Sequence, residues 1–346
     1  MSDNVSDRGA AGSPAGGGGK SSPSSPSSPP VGALLLLLGA AAALSSCDLT
    51  PAPGFSPLAE TPPAFCALPG GRLLYTDAAG DGGRDLFVFD IESRSKRRVA
   101  RTPRHYEWEV AASPDGKAAL CTYLGPRGRT SAEGMFLVDL ARGTTREVPG
   151  EGLSRAVGPV FSPSGRRVAF AREPATAWQS MPLRELWELD LHTGELVRID
   201  KGSYSSVWGH AYRDEDRLYF SGDIKTGNLG EGKRVLAEYS RRDDKTRVRD
   251  LPPDAGIALM GFSPDGKTFY GLGARGRWRD TRFVRGDADR ITSPETWEPG
   301  RFPPGPAELM PSRQEMLYLS QNEDYFYICR YTLADGKSKA LLKVPK

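Results

Sequence analysis

At 346 residues the chain has room for one large domain or two ordinary ones. Its 46 Lys and Arg balance 43 Asp and Glu to a formal charge of +3, which gives no support to a nucleic-acid partner. Three histidines in the whole chain argue against a His-built metal or catalytic centre.

Residues 1–30 are Ser, Gly, Pro and Ala with almost no large apolar side chain. Such a stretch cannot bury enough surface to offset its ordering entropy and is expected to be disordered. Val31 to Leu44 is an apolar run of about 14 residues, shorter than the roughly 20 that a bilayer-spanning helix needs. It fits the apolar region of a secretory signal. Leu44-Ser45-Ser46-Cys47 resembles the bacterial lipobox, in which a small residue precedes a cysteine. The resemblance implies cleavage before Cys47 and a diacylglycerol on its sulfur, so that residues 1–46 are leader and signal peptide. One acyl chain holds a protein to a membrane only marginally, and a lipoprotein cysteine carries more than one. The leader departs from the pattern in its charge, with Arg8 and Lys20 offset by Asp3 and Asp7. Residues 47–63 follow as a proline-rich spacer that is semi-rigid and would hold a globular body off the membrane.

From residue 64 a phrase recurs. Ser113-Pro-Asp-Gly-Lys117, Ser162-Pro-Ser-Gly-Arg166 and Ser263-Pro-Asp-Gly-Lys267 are clear copies. Leu68-Pro-Gly-Gly-Arg72 and Pro311-Ser-Arg-Gln314 are weaker ones, and Tyr212-Arg-Asp-Glu-Asp-Arg217 keeps the flanks but loses the proline. Anchors at 69, 114, 163, 213, 264 and 311 set a period of 45 to 51 residues, the mark of a repeat architecture. Proline presets φ for the turn and glycine supplies the positive φ that closes it. In the third unit, strands are expected over 157–161, 167–171, 185–191 and 195–199, the third of them alternating apolar and polar residues. Residues 86–91, 135–140 and 325–329 are the matching third strands elsewhere. Six units of four antiparallel strands describe an all-β, six-bladed β-propeller over residues 64–346. Its ring closes either by packing of the first blade on the last or by part of 52–63 joining the edge of blade six.

The succession of Ser-Pro-Asp-Gly-Lys, an apolar strand, and then Leu86-Phe-Val-Phe-Asp90 or Leu186-Trp-Glu-Leu-Asp-Leu191 resembles the TolB-type propeller repeat. The likeness runs over roughly residues 64–346, strongest in units two and three. It implies a six-bladed binding domain in the periplasm or at the cell surface. It does not extend to the Tol system, because no counterpart of TolB's separate α/β domain is visible. The motif speaks for a fold and not for an activity.

The candidate chemistry is sparse. Asp77 to Asp85 is rich in carboxylates, as a calcium loop would be, but it lacks the closing bidentate Glu and falls where the repeat places a hairpin. No Gly-x-Ser-x-Gly elbow occurs, and Gly152-Leu-Ser-Arg-Ala156 fails at its last position. His105, His192 and His210 do not form a metal set. Cys66, Cys121 and Cys329 are odd in number for an oxidising compartment and read as buried free thiols.

The non-repeating connections therefore carry the functional expectation. Second-to-third and fourth-to-first strand loops share one propeller face, and loops on a rigid scaffold commonly bind partners. Arg104, Tyr106, Arg155, Trp178, Tyr204, Arg275, Arg277 and Trp278 are the candidate contacts there, arginine and aromatic residues being enriched at hot spots. The expectation is a non-catalytic envelope lipoprotein, lipidated at Cys47, that binds a protein or envelope component without a cofactor. A monomer is expected, because a closed propeller needs no partner strand. The alternative is a metal-dependent propeller lyase or lactonase acting on a sugar derivative.

Overall fold

In the computed structural model of the protein, the repeated turn is built by its own side chains. The Ser113 hydroxyl accepts the Ala118 N–H at 2.9 Å and donates to Asp115 at 2.7 Å, while Asp115 accepts the Lys117 N–H at 3.0 Å. Gly116 closes the turn at φ +66°. The Ser113 hydroxyl, then the Lys117 N–H, hold the Asp115 carboxyl below the usual range. The Ser263 turn repeats the arrangement, with Thr268 N–H to Ser263 at 2.9 Å. The aspartates that end the third strands have a similar task. Asp90, Asp139 and Asp190 accept N–H groups of the next turn, from Ser93 at 2.8 Å, Arg142 at 2.9 Å and Thr193 at 3.0 Å. Both halves of the repeated phrase are therefore turn chemistry.

The structure describes residues 62–346 apart from the segments 79–83, 102–105, 125–132, 151–152, 154–155, 173–183, 225–232, 252–254, 276–281, 292–294, 297–306, 311–314 and 334–335. The chain divides into two units, Met1–Leu38 and Gly39–Lys346. The first, together with Cys47 and residues 48–61, lies outside the described residues.

Six four-stranded antiparallel sheets follow one another, each with its strands side by side in chain order. Blade one is β1 (Phe65–Leu68), β2 (Arg72–Ala78), β3 (Arg84–Asp90) and β4 (Lys96–Ala100); blade two is β5 (Tyr106–Ala112), β6 (Ala118–Leu124), β7 (Glu133–Asp139) and β8 (Thr145–Glu147). Blade three is β9 (Ala156–Phe161), β10 (Arg167–Arg172), β11 (Glu185–Asp190) and β12 (Leu196–Arg198); blade four is β13 (Tyr204–Tyr212), β14 (Arg217–Ile224), β15 (Lys233–Ser240) and β16 (Lys245–Asp250). Blade five is β17 (Ala255–Phe262), β18 (Thr268–Arg275), β19 (Arg282–Asp287) and β20 (Glu295–Thr296); blade six is β21 (Ala307–Met310), β22 (Glu315–Gln321), β23 (Tyr325–Thr332) and β24 (Ser338–Pro345). The six-bladed expectation holds, and so do the strand positions to within a few residues. The acidic 77–85 stretch is indeed a hairpin, with Asp77 paired to Asp85 across β2 and β3.

First strands make the inner ring: β1, β5, β9, β13, β17 and β21 each touch the next, and β21 returns to β1. Alternation along each strand then sends side chains to the two neighbouring blades. On β6, Ala119 and Cys121 pack toward blade one while Leu120 packs toward blade three. Six apolar clusters result, one at each junction. The last joins Phe65, Leu73 and Tyr75 to Leu317, Phe326 and Ile328, so blade one packs directly on blade six. The turns join blades too. A Cβ at Gly116 would stand 3.0 Å from Pro69 of the preceding turn, and one at Gly165 would stand 3.6 Å from Pro114.

Candidate functional site

Most of the expected contact residues fall in the undescribed connections. Arg104, Arg155, Trp178, Arg277 and Trp278 lie outside the described residues, as does Cys47. The backbone places three others at one end of the blades. Tyr106 opens β5 opposite Leu124, Tyr204 opens β13 opposite Ile224, and Arg275 closes β18 opposite Ala255. These are the strand ends from which the second-to-third loops leave.

Tyr204 requires a correction. It was expected on the loop surface but is 5% exposed and belongs to the cluster between blades three and four. Its ring meets Phe220 edge-on at 5.0 Å between centroids. Burial, and then the charge of Asp200, push its hydroxyl up to about 12. Gly222 makes room for the ring, since a Cβ there would stand 3.1 Å from it. Tyr204 is a core residue of the junction between blades three and four.

The inner ring holds titratable groups on first strands. Glu109 on β5, His210 on β13 and Glu308 on β21 stand on alternate blades, two, four and six. Each reaches a neighbouring blade. The Glu109 carboxylate accepts the N–H of Gly158 on β9. Gly158 has φ +62°, and a Cβ there would stand 3.3 Å from Cε1 of His210. Thus Glu109, Gly158 and His210 adjoin across three blades. His210 Nε2 lies 3.4 Å from the Ala169 carbonyl oxygen, and its Nδ1 is buried with no hydrogen-bond partner. Burial pushes the imidazole down to about 4. A neutral ring donating from Nε2 fits both facts, because protonation would add a buried Nδ1–H with no acceptor.

Glu308 is half-buried on the inner ring, and desolvation there pushes its carboxyl up to about 8 against the opposing Ala67 N–H. Cys66 beside it is raised by burial first, then by Glu308 and Cys121. A carboxyl kept neutral near pH 7 can donate a hydrogen bond or a proton. A neutral imidazole can accept one or bind a metal. Among the described residues, no group of three or more His, Cys, Asp or Glu is placed to hold one metal ion. Cys66, Cys121 and Cys329 are buried free thiols, as expected. No local motif marks Glu109, His210 or Glu308. The available signal is a charged or imidazole side chain interrupting the apolar first strand of a unit.

No protein-family model matches the chain, and no curated protein does. Solved structures share its fold. TolB from Acinetobacter baumannii superposes with a TM-score of 0.59 at 17% identity, over 80% of this chain and 64% of that one. A putative TolB from Agrobacterium tumefaciens gives 0.55 at 16% identity, over 74% of this chain and 87% of that one. An oligogalacturonate lyase in complex with manganese gives 0.51 at 16% identity, over 79% and 74%. The match therefore spans less than two thirds of the Acinetobacter TolB chain. At such identities the likeness speaks for the six-bladed propeller and not for an activity.

Proposed function

We propose that this protein is a lipid-anchored component of a bacterial cell envelope whose propeller binds a protein or envelope partner through the loop face. The order of parts along the chain carries the reading: an apolar signal, Leu44-Ser45-Ser46-Cys47, a proline-rich spacer, then a TolB-like propeller. Lipid on Cys47 fixes the chain to the membrane, and the spacer presents the propeller at a distance. Arg104, Tyr106, Arg155, Trp178, Arg275, Arg277 and Trp278 supply contacts at that face. The full chain and its Cys47→Ser variant, expressed in a bacterial host, test the anchor by fractionation and intact mass. Loss of the lipid mass and of membrane association in the variant is expected. A soluble wild type, or a variant that stays on the membrane, overturns it. Partner recovery with the Arg277→Ala, Trp278→Ala double variant tests the face, and undiminished recovery counts against it.

A lyase reading has one specific support. A solved structure with the same fold is an oligogalacturonate lyase bound to manganese, and this inner ring carries Glu109, His210 and Glu308. Manganese titration of the full chain, followed by assay for an unsaturated product from oligogalacturonate, discriminates. Stoichiometric manganese and turnover lost in Glu308→Gln would replace the binding-module reading.

A further inference from the structure

The unit that loses its proline borders a cleft rich in arginine. At the junction of blades four and five, about 230 Å³ of space is lined by Arg213, Arg217, Arg247 and Arg249, with Tyr219, Glu238 and Asp289. Arg213 stands where the turns of units two, three and five carry serine. It is 9% exposed, donates from Nε to the Gly266 carbonyl at 2.9 Å, and pairs through Nη1 with Asp289 at 2.7 Å. Arg217 is held from behind by Asp214, with Nε to Oδ2 at 2.6 Å. Arg249 donates to Glu238 at 3.0 Å, and that same carboxylate oxygen accepts the Tyr219 hydroxyl at 2.7 Å. Arg247 is 59% exposed, with only a loose 3.7 Å approach to Asp243.

The preceding junction shows what is different. Between blades three and four, Glu188 lies 3.5 Å from Arg167 and 3.0 Å from Arg241, the latter reaching over from blade four. Arg167 also meets Glu215 at 3.0 Å. Charge there is matched and closed over. Between blades four and five the crossing group is an acid, the exposed Asp289 of the 3-10 turn Ala288–Arg290, and the arginine on Glu238 is Arg249 of blade four itself. Arg213, Arg217 and Arg249 line the cleft together with Asp289, and their charges hold its carboxyl below the usual range, Arg213 first. Each guanidinium has five N–H donors, and the contacts named above engage one or two of them.

We propose that this cleft, at the turn end of blades four and five, binds a small oxyanion group, a phosphate or carboxylate, between Arg213, Arg217, Arg247 and Arg249. Guanidinium forks match such groups in a bidentate fashion, and a partly enclosed pocket limits solvent screening. Asp289 is then a tethered competitor that sits on the site while it is empty. The site is distinct from the loop face: Arg213 and Arg217 flank the first-to-second-strand turn and Asp289 follows the end of β19, all at the opposite end of the blades, with Arg249 reaching in from β16.

Calorimetric titration of the full chain at low ionic strength, with inorganic phosphate in one arm and citrate in the other, tests this. One saturable site is expected in at least one arm, and the arm that binds more tightly identifies the oxyanion. Arg247→Gln with Arg249→Gln weakens it tenfold or more, while Asp289→Asn tightens it several-fold. Both changes are on exposed positions, and unchanged circular dichroism and thermal midpoint confirm the fold. Lys343→Gln, on blade six, leaves binding unaltered. Absence of saturation in both arms overturns the proposal, as does binding that the arginine pair does not weaken.

Discussion

The imidazole of His210 makes acid stability a direct readout of the inner ring. In the unfolded chain a histidine titrates near 6.5, whereas in the fold burial holds His210 down to about 4. Between those values the unfolded chain binds the extra proton and the folded one refuses it, so stability falls as pH drops through that window. One pKa unit is worth about 1.4 kcal/mol, so the penalty is absent above pH 6.5 and reaches about 3 kcal/mol below pH 4. His210→Gln removes the titration while keeping an amide donor toward the Ala169 carbonyl. At pH 7.5 the variant is the less stable protein, by the packing lost from a site that is 6% exposed. On acidification to pH 4.5 the difference between the two closes by about 2–3 kcal/mol. Urea unfolding followed by tryptophan fluorescence at four pH values measures it, and distant carboxylates cancel in the comparison. Parallel stability curves for the two proteins would refute the buried, neutral imidazole.

Glu308→Gln has the opposite slope. Its carboxyl titrates near 8 in the fold against about 4.5 when unfolded, so wild-type stability declines as pH rises between those values and the variant is spared, gaining about 3 kcal/mol by pH 7 relative to pH 4.5; equal pH profiles in urea unfolding speak against it. Gly143 and Gly194 occupy matching turns at φ +70° and +76°, but a Cβ on Gly143 would stand 2.2 Å from the Val99 carbonyl oxygen whereas one on Gly194 meets nothing within 4 Å. Alanine at 194 is expected to cost about 1–2 kcal/mol for the left-handed backbone, and alanine at 143 clearly more, with thermal melts as the measure. The buried thiols of Cys66 and Cys121 resist alkylation in the native protein and react on unfolding, as mass spectrometry with and without urea will show.

The architecture was legible because a turn is a local event. Serine, proline, aspartate and glycine do their work within five residues, so the period and the four-strand grammar survive in the sequence alone. Contacts across blades link residues about one repeat apart, and no local pattern announces them. Gly116 meeting Pro69, or Glu109 capping Gly158 on β9, become visible only once the ring is closed. Tyr204 was misplaced for a related reason. It precedes two serines and reads as loop, yet β13 runs nine residues and takes it in at its first position. His210 carries no local motif, because what it meets is a glycine and a backbone carbonyl of the neighbouring blade.

A lost motif can be as informative as a kept one. In units two, three and five the residues that flank the turn pair seven positions apart: Ala112 with Ala119, Phe161 with Val168, Phe262 with Phe269. In unit four Tyr212 pairs with Leu218, only six apart. The shorter turn has no room for the serine-aspartate network, and Asp214 instead accepts the N–H groups of Asp216 and Arg217. Chain reversal is therefore achieved by other means, and the serine position is released from turn duty. Arginine there reaches the next blade's turn at Gly266, where prolines make the equivalent contact for Gly116 and Gly165. A purely apolar contact has become a charged one, at a junction where three further arginines line the same cleft. Where the turn of units two, three and five is lost, charge was free to accumulate.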